Sequence, residues 1–261
     1  MKLNPIIPER KKLHNILWNF VQPNSTFQIE QELEDKKFAY LNDSCYKFPI
    51  GVYTTPALHL LCQSVKERLH VTDNVAFMIE NRLSVFGSCT ASGNKEYPSI
   101  ITISAGAVNN LTNDELSCLI GHELGHLISK DWLISFFFNK IYKNRATKFT
   151  LHQFHVLDLL SEMEADRYGY LACGSLDAFV SYQYKLCGGI DQQRFGVSSS
   201  TFLNDNKRHI QKFMNGGWLG NCHPANALRI EAIRLFATCK TNRELQAQMK
   251  PIIDSIQNCD E

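Results

Sequence analysis

The sequence predicts an α+β protein that is mostly helical, with a small and largely antiparallel sheet. Short segments rich in β-branched and aromatic residues are confined to residues 74–104. From Ser104 onward, apolar residues recur at helical spacing, and glycine or proline separates the segments. A short run of strands followed by a long run of helices is typical of this class.

Residues 1–52 show no sustained period and mix aromatic residues with charges and prolines. We interpret them as an irregular arm or a packed extension of unknown role, and residues 53–261 as the functional domain. The run Glu9–Lys12, "ERKK", is typical of a solvated surface, so Arg10 and its two lysine neighbours are expected to need no partner.

The elements of the domain follow in order. Leu58, Leu61, Val65 and Leu69 predict a helix from Thr55 to about Leu69. Strands are predicted at residues 74–80, 82–90 and 99–104, with turn residues before the last one. Helices are predicted at roughly 104–111, 113–130, 150–172, 175–187, 201–214, 225–238 and 242–257.

Composition excludes several functional classes. The 27 basic and 26 acidic residues give a net charge of +1, so no nucleic-acid partner is expected. Nine scattered cysteines without a CxxC pair indicate reduced thiols and a cytoplasmic protein. Pro5 and Pro8 interrupt any signal peptide, and the apolar run Trp132–Phe138 falls far short of the roughly 18 to 20 residues that span a bilayer. Oligomeric state is not indicated.

The segment "LIGHELGHLISKDW" carries two histidines four residues apart. Thr112 followed by Glu115 forms a capping-box pattern, so a helix is predicted to begin there. On that helix His122 and His126 share one face, while Glu123 lies about 100° round the axis. This is the geometry of an HExxH metallopeptidase. The alternative is an amphipathic core helix whose histidines are hydrogen-bonded to neighbours.

A catalytic zinc also needs a third protein ligand. The segment "LLSEMEADRYGY" places Glu162 and Asp166 on one helix face, whereas Glu164 lies about 200° from Glu162 and points elsewhere. If Glu162 binds the metal, Asp166 can accept a hydrogen bond from the free ring nitrogen of a ligand histidine. The alternative is a solvated acidic face.

Together, HELGH and "EMEADRYG", which begins at Glu162, 36 residues after His126, resemble the gluzincin metallopeptidases that include the CAAX prenyl endopeptidases and the HtpX peptidases. The segment "HPANALRIEAI" is similar to a third motif of that family. The likeness covers roughly residues 55–235. It implies one zinc ion with Glu162 as third ligand, and it implies that His223 and Arg229 lie over the metal, stabilising the oxyanion or blocking the open coordination position.

The resemblance also implies a substrate strand. In that family, an extended peptide is expected to lie along an edge strand by β-augmentation. In this sequence, the corresponding residues are Leu83, Ser84, Val85, Phe86 and Gly87. Members built around transmembrane helices differ from this chain, which indicates the soluble branch.

These observations predict a zinc-dependent endopeptidase acting on proteins or peptides. Zinc held by two histidines and a glutamate keeps an open position and lowers the pKa of bound water toward about 7, and Glu123 is the expected general base. Two alternatives stay open. One is a catalytically silent zinc-binding or chaperone-like module, and the other is an enzyme held shut by His223 or by the amino-terminal arm.

Overall fold

The structure is a computed structural model. It describes residues 3–21, 45–92, 97–139, 146–188, 196, 198, 200–201, 204, 207–214 and 223–258. The described helices are α1 (Pro8–Val21), α2 (Pro56–Arg68), α3 (Ala105–Asn110), α4 (Asn113–Ser129), α5 (Asp131–Phe137), α6 (Lys148–Cys173), α7 (Leu176–Gly188), α8 (Lys207–Met214), α9 (Asn226–Thr238) and α10 (Asn242–Gln257). The prediction of a mostly helical α+β fold is confirmed.

The sheet is small and mixed. Its strands are β1 (Phe48–Pro49), β2 (Val75–Glu80), β3 (Gly87–Thr90) and β4 (Ser99–Ser104), in the order β1-β2-β4-β3. The two outer pairings, β1 with β2 and β3 with β4, are antiparallel as expected. The central pairing of β2 with β4 is parallel, and every residue of β4 is buried.

Helix α4 begins where the sequence predicts. The Thr112 hydroxyl accepts a hydrogen bond from the Glu115 backbone N–H at 3.3 Å, and the Glu115 carboxylate accepts one from the Thr112 N–H at 2.7 Å. This reciprocal pair satisfies two backbone donors that the first helical turn leaves free. The helix ends at Lys130, whose φ of 59° lies in the left-handed region and turns the chain into α5.

Helices α4 and α6 pack unusually close together because α4 presents glycine to its partner. A Cβ atom on Gly121 would lie 2.4 Å from the Ala172 Cβ, and one on Gly125 would lie 2.9 Å from the Ala165 Cα. Any larger side chain would push the helices apart. The close contact sets the distance between the HELGH helix and the helix that carries Glu162.

Of the two interpretations of the amino-terminal segment, the described residues 8–21 agree with a packed extension rather than an irregular arm. Residues 8–21 form helix α1, which buries Leu13, Leu17 and Val21 in a core shared with α5, α6, α9 and α10. A second core lies between the sheet and helices α2, α4 and α7. Strand β1 also precedes residue 53, and the division at that residue stays a prediction.

None of the described helices has both the length and the apolar character needed to cross a bilayer. The predicted helix at 201–214 lies partly outside the described residues; its described part includes α8.

Candidate metal centre

His122, His126 and Glu162 converge on one point between α4 and α6. The two Nε2 atoms are 3.1 Å apart, and the Glu162 carboxylate oxygens lie 3.4 Å from His122 Nε2 and 3.3 Å from His126 Nε2. Two nitrogens bound to one tetrahedral zinc at 2.0–2.1 Å lie about 3.3 Å apart. Glu162 Oε2 is buried without a hydrogen-bond partner. The donor set therefore fits a single zinc-sized cation.

Behind this group, Asp166 orients one of the histidines. Its Oδ1 lies 3.0 Å from His122 Nδ1, so a proton on Nδ1 leaves the Nε2 lone pair directed toward the donor group. Asp166 is itself held by Arg229, whose Nε and Nη2 each donate to one carboxylate oxygen at 2.6 Å. Asp166 and Arg229 are 1% and 3% exposed, so this pair is shielded from water.

The charges of this group keep its carboxylates ionised. Burial alone would raise the pKa of Asp166, but the Arg229 guanidinium and the His122 hydrogen bond lower it below its usual value. Burial likewise acts to raise the pKa of Glu162, yet His122 and His126 hold it well below the ordinary range. Both groups are therefore available as anions for a cation and its ligands.

Glu123 has the opposite behaviour, because burial raises its pKa and the two histidines only partly oppose that effect. The side chain lines the same cleft as the three converging residues. A carboxyl group with a raised pKa is a better proton acceptor, which suits a general base working near neutral pH.

Strand β3 passes directly beside Glu123. A Cβ atom on Gly87 would lie 2.7 Å from Glu123 Oε1 and 2.6 Å from Leu119 Cδ1, so any larger residue would require these two side chains to shift. Strand β3 is a terminal strand of the described sheet. Gly87 and Cys89 both line the cleft.

The predicted substrate strand is shorter than expected. The strand begins only at Gly87, so the prediction of strand structure for Leu83, Ser84, Val85 and Phe86 is wrong. The reason lies in Ser104 at the end of β4. Its hydroxyl donates to the Ser84 carbonyl and accepts from the Phe86 N–H, and its own N–H donates to the Phe86 carbonyl. These contacts hold the segment as a loop.

His223 and Arg229 both adjoin Glu162, but they differ in burial. His223 is half exposed at the cleft, with its Nε2 3.7 Å from Glu162 Oε1. Arg229, in contrast, lies buried behind the carboxylates and points toward Asp166. Its Nη2 also lies 3.6 Å from Glu162 Oε2, so Arg229 adjoins the ligand group from its buried side, and the role that the resemblance implies for it stays a prediction.

Residues 90–157 match the model of peptidase family M48. The matched segment contains His122, Glu123 and His126 and ends before Glu162. This similarity supports a metallopeptidase function. Neither the search of curated proteins nor the search of solved structures gave a match for the chain.

Beyond the matched segment, sequence reasoning missed Arg10. It is 5% exposed rather than solvated: its Nη1 donates to Asp131 at 2.7 Å and its Nε donates to Glu164 at 2.8 Å. Asp131 also contacts His14 and Ser161. The missed signal was the spacing of Arg10 with the buried apolar residues of α1 at positions 13, 17 and 21, which places it on the buried stripe.

A larger groove of about 730 Å³ lies between α7, α8, α9 and α10. None of the predicted site residues lines it. The smaller metal cleft is the functional candidate, because its residues supply converging ligand atoms and a buried base.

Proposed function

We propose that the protein is a zinc-dependent endopeptidase of the soluble HtpX and CAAX-peptidase type, acting in the cytoplasm. The observation that carries the proposal is the convergence of His122, His126 and Glu162 beside a buried glutamate, Glu123. None of the seven described cysteines forms a disulfide bond, which agrees with a reducing compartment.

The residues present would hold one zinc ion through the two Nε2 atoms and the Glu162 carboxylate. Zinc in such a site supplies a water of lowered pKa and polarises the substrate carbonyl. Asp166 keeps the proton of His122 on Nδ1, and Arg229 keeps Asp166 ionised and in place.

Glu123 performs the proton transfers in this proposal. Its carboxylate takes the proton of the attacking water and then delivers it to the leaving amine. The substrate backbone lies along the outer edge of β3, beginning at Gly87, and adds a strand to the sheet. His223, at the mouth of the cleft, is placed to donate to the oxygen on which negative charge develops.

A resting form covered by His223 is the second candidate. The distance of 3.7 Å between His223 Nε2 and Glu162 Oε1 favours it, because this imidazole reaches the ligand group itself. A His223→Ala variant that cleaves faster than the wild-type protein would support the covered form, whereas a slower variant would support oxyanion stabilisation.

The proposal is tested by separating metal binding from catalysis. Glu123→Gln should retain stoichiometric zinc and lose about 10²- to 10⁴-fold in cleavage rate, the usual contribution of general acid–base catalysis. Glu162→Ala should lose both zinc and cleavage, because it removes a ligand. Elemental analysis and cleavage of denatured casein, with and without a chelator, measure the two effects.

The matched control is Glu67→Gln, since Glu67 is an exposed glutamate on α2 outside the cleft. A Glu123→Gln protein that cuts casein at the control rate would remove the proposed base. Stoichiometric zinc without cleavage by any form, including His223→Ala, would favour the zinc-binding or chaperone-like module.

A further inference from the structure

The cleft extends well beyond the three converging ligands. It has a volume of about 390 Å³ and runs from Gly87 and Cys89 on β3, past Glu123, to residues of α5 and α6 that include Ser135 and Asp158. A peptide cleaved at the ligands would therefore place neighbouring side chains against α5 and α6.

On the side of the cleft formed by α6, Asp158 is the acidic side chain nearest to the peptide bond that would be cleaved. It lies four residues before Glu162, so both side chains share one helix face and their Cα atoms are separated by about 6 Å along the axis. That rise equals roughly two residues of extended chain at about 3.3 Å each. The Ser135 hydroxyl donates to Asp158 Oδ1 at 3.3 Å and fixes the carboxylate in the cleft.

Among the described residues, no lysine or arginine forms an ion pair with Asp158. Asp131 in the same cleft is paired with Arg10, and Glu162 faces the ligand histidines. Among the described residues that line the cleft there is no lysine or arginine. The hydroxyl of Ser135 is a neutral donor and leaves the charge uncompensated.

Asp158 is exposed to the cleft. Partial desolvation by the surrounding walls raises its pKa to about 6, and the negative charges of Asp131 and Glu162 add to that effect against the Ser135 hydrogen bond. A cation placed beside the carboxylate would reverse this cost by favouring the ionised form. Among the described residues, Asp158 belongs to no group of three metal-binding side chains. A second metal ion is therefore not indicated as the cation beside its carboxylate.

Resting on the proposed peptidase function, we propose that Asp158 forms a subsite selecting a lysine or arginine side chain of the peptide within about two residues of the cleaved bond. An ammonium or guanidinium group supplies both the opposite charge and the N–H donors that a carboxylate binds most strongly. A neutral amide of similar length supplies donors without the charge.

The cleavage experiment uses the zinc-loaded protein and a mixed peptide library. Lysine and arginine should be enriched at one fixed position relative to the cut. For a peptide pair differing only in lysine or glutamine there, Asp158→Asn should lower the lysine-to-glutamine ratio of kcat/KM by about tenfold or more. Asp158→Lys should reverse the preference toward glutamate. Asp73→Asn, at an exposed aspartate outside the cleft, is the charge-matched control.

A binding experiment separates this inference from the peptidase proposal. Zinc-loaded Glu123→Gln protein is titrated with the same lysine and glutamine peptides carrying a fluorescent label, and Asp158→Asn is then added to that background. Tighter binding of the lysine peptide that is lost in Asp158→Asn would support the subsite. This holds even if the wild-type protein cleaves no peptide, since that result would contradict only the proposed peptidase activity. Cleavage or binding without a preference for a basic residue would overturn the subsite.

Discussion

Helix α6 carries two buried arginine–carboxylate clusters on opposite faces, and they differ in how well their charges are balanced. The Arg229 cluster joins Arg229 to Asp166 beside Glu162, and the Arg10 cluster joins Arg10 to Asp131 and Glu164. The first supports the metal ligands. The second ties α1 and α5 to the same helix.

The difference shows in the two carboxyl groups. Asp166 receives two donors from its arginine and one contact from His122, and its pKa is lowered despite burial. Burial raises the pKa of Glu164. Hydrogen bonds from Arg10 and from the Ile7 N–H offset this rise only in part, because Arg10 also donates to Asp131. A buried carboxylate that accepts two hydrogen bonds from an arginine, as Asp166 does, is compensated more completely than one that accepts a single hydrogen bond, as Glu164 does.

The largest effect is expected from Arg229→Met. This variant leaves Asp166 buried without its cation, which typically lowers the free energy of unfolding by about 3 to 5 kcal/mol. It also loosens Asp166, the hydrogen-bond partner of His122, and such a loss typically lowers metal affinity about 10- to 100-fold. Urea unfolding and competition with a zinc chelator measure the two. Arg234→Met is the control, because Arg234 lies on the same helix but is partly exposed and is paired with Glu231 rather than with a residue of the cleft. Equal zinc affinity in both variants would contradict the supporting role of Arg229.

Arg10→Met should have a smaller effect. Glu164 already holds a proton more readily than an ordinary glutamate, so the loss of Arg10 is expected to cost about 3 kcal/mol, the low end for a broken buried pair. The zinc affinity of the folded protein should change less than in Arg229→Met. Lys11→Met, at the exposed neighbour, is the control in the same unfolding assay. A variant as stable as this control would mean that the Arg10 cluster contributes nothing to folding.

The smallest effect is a pH dependence of opposite sign in the two clusters. Asp166 has a lowered pKa, so its stabilising contribution is present above its unfolded value near 3.9 and is lost as pH falls through the folded value. Glu164 has a raised pKa, so stability falls as pH rises through the window between its unfolded value near 4.3 and its folded value.

Removing Arg10 should raise the pKa of Glu164 further, so acid should partly rescue that variant. The stability difference between Arg10→Met and wild type is therefore expected to shrink between about pH 7 and pH 5. No such narrowing is expected for Arg229→Met, because Asp166 starts from a low pKa. Urea unfolding at the two pH values measures both differences, and parallel behaviour of the two variants would remove the distinction.

The two clusters differ in how well their contacts could be predicted from the sequence. The partners around His122 were predictable because spacing within a helix fixes which side chains share a face. Helix ends were predictable for a similar reason, since capping is local: the helix expected at 242–257 is Asn242–Gln257, and Thr241 caps it. Functional roles for these residues stay predictions.

Long-range contacts were not predictable in this way. Arg10 meets carboxylates 121 and 154 residues away, and a short charge run gives no indication of such partners. The loop before β3 was misassigned because its β-branched and aromatic residues resemble a strand, whereas Ser104, 18 residues from Phe86, decides its conformation. The parallel pairing of β2 with β4 likewise depends on topology rather than on either segment alone.

The clamping of α6 from two sides also limits how this molecule can move. Rotation or sliding of the helix would break one cluster or the other, because Glu164 and Asp166 are fixed to different arginines. Any opening motion that admits a chain must therefore leave α6 stationary.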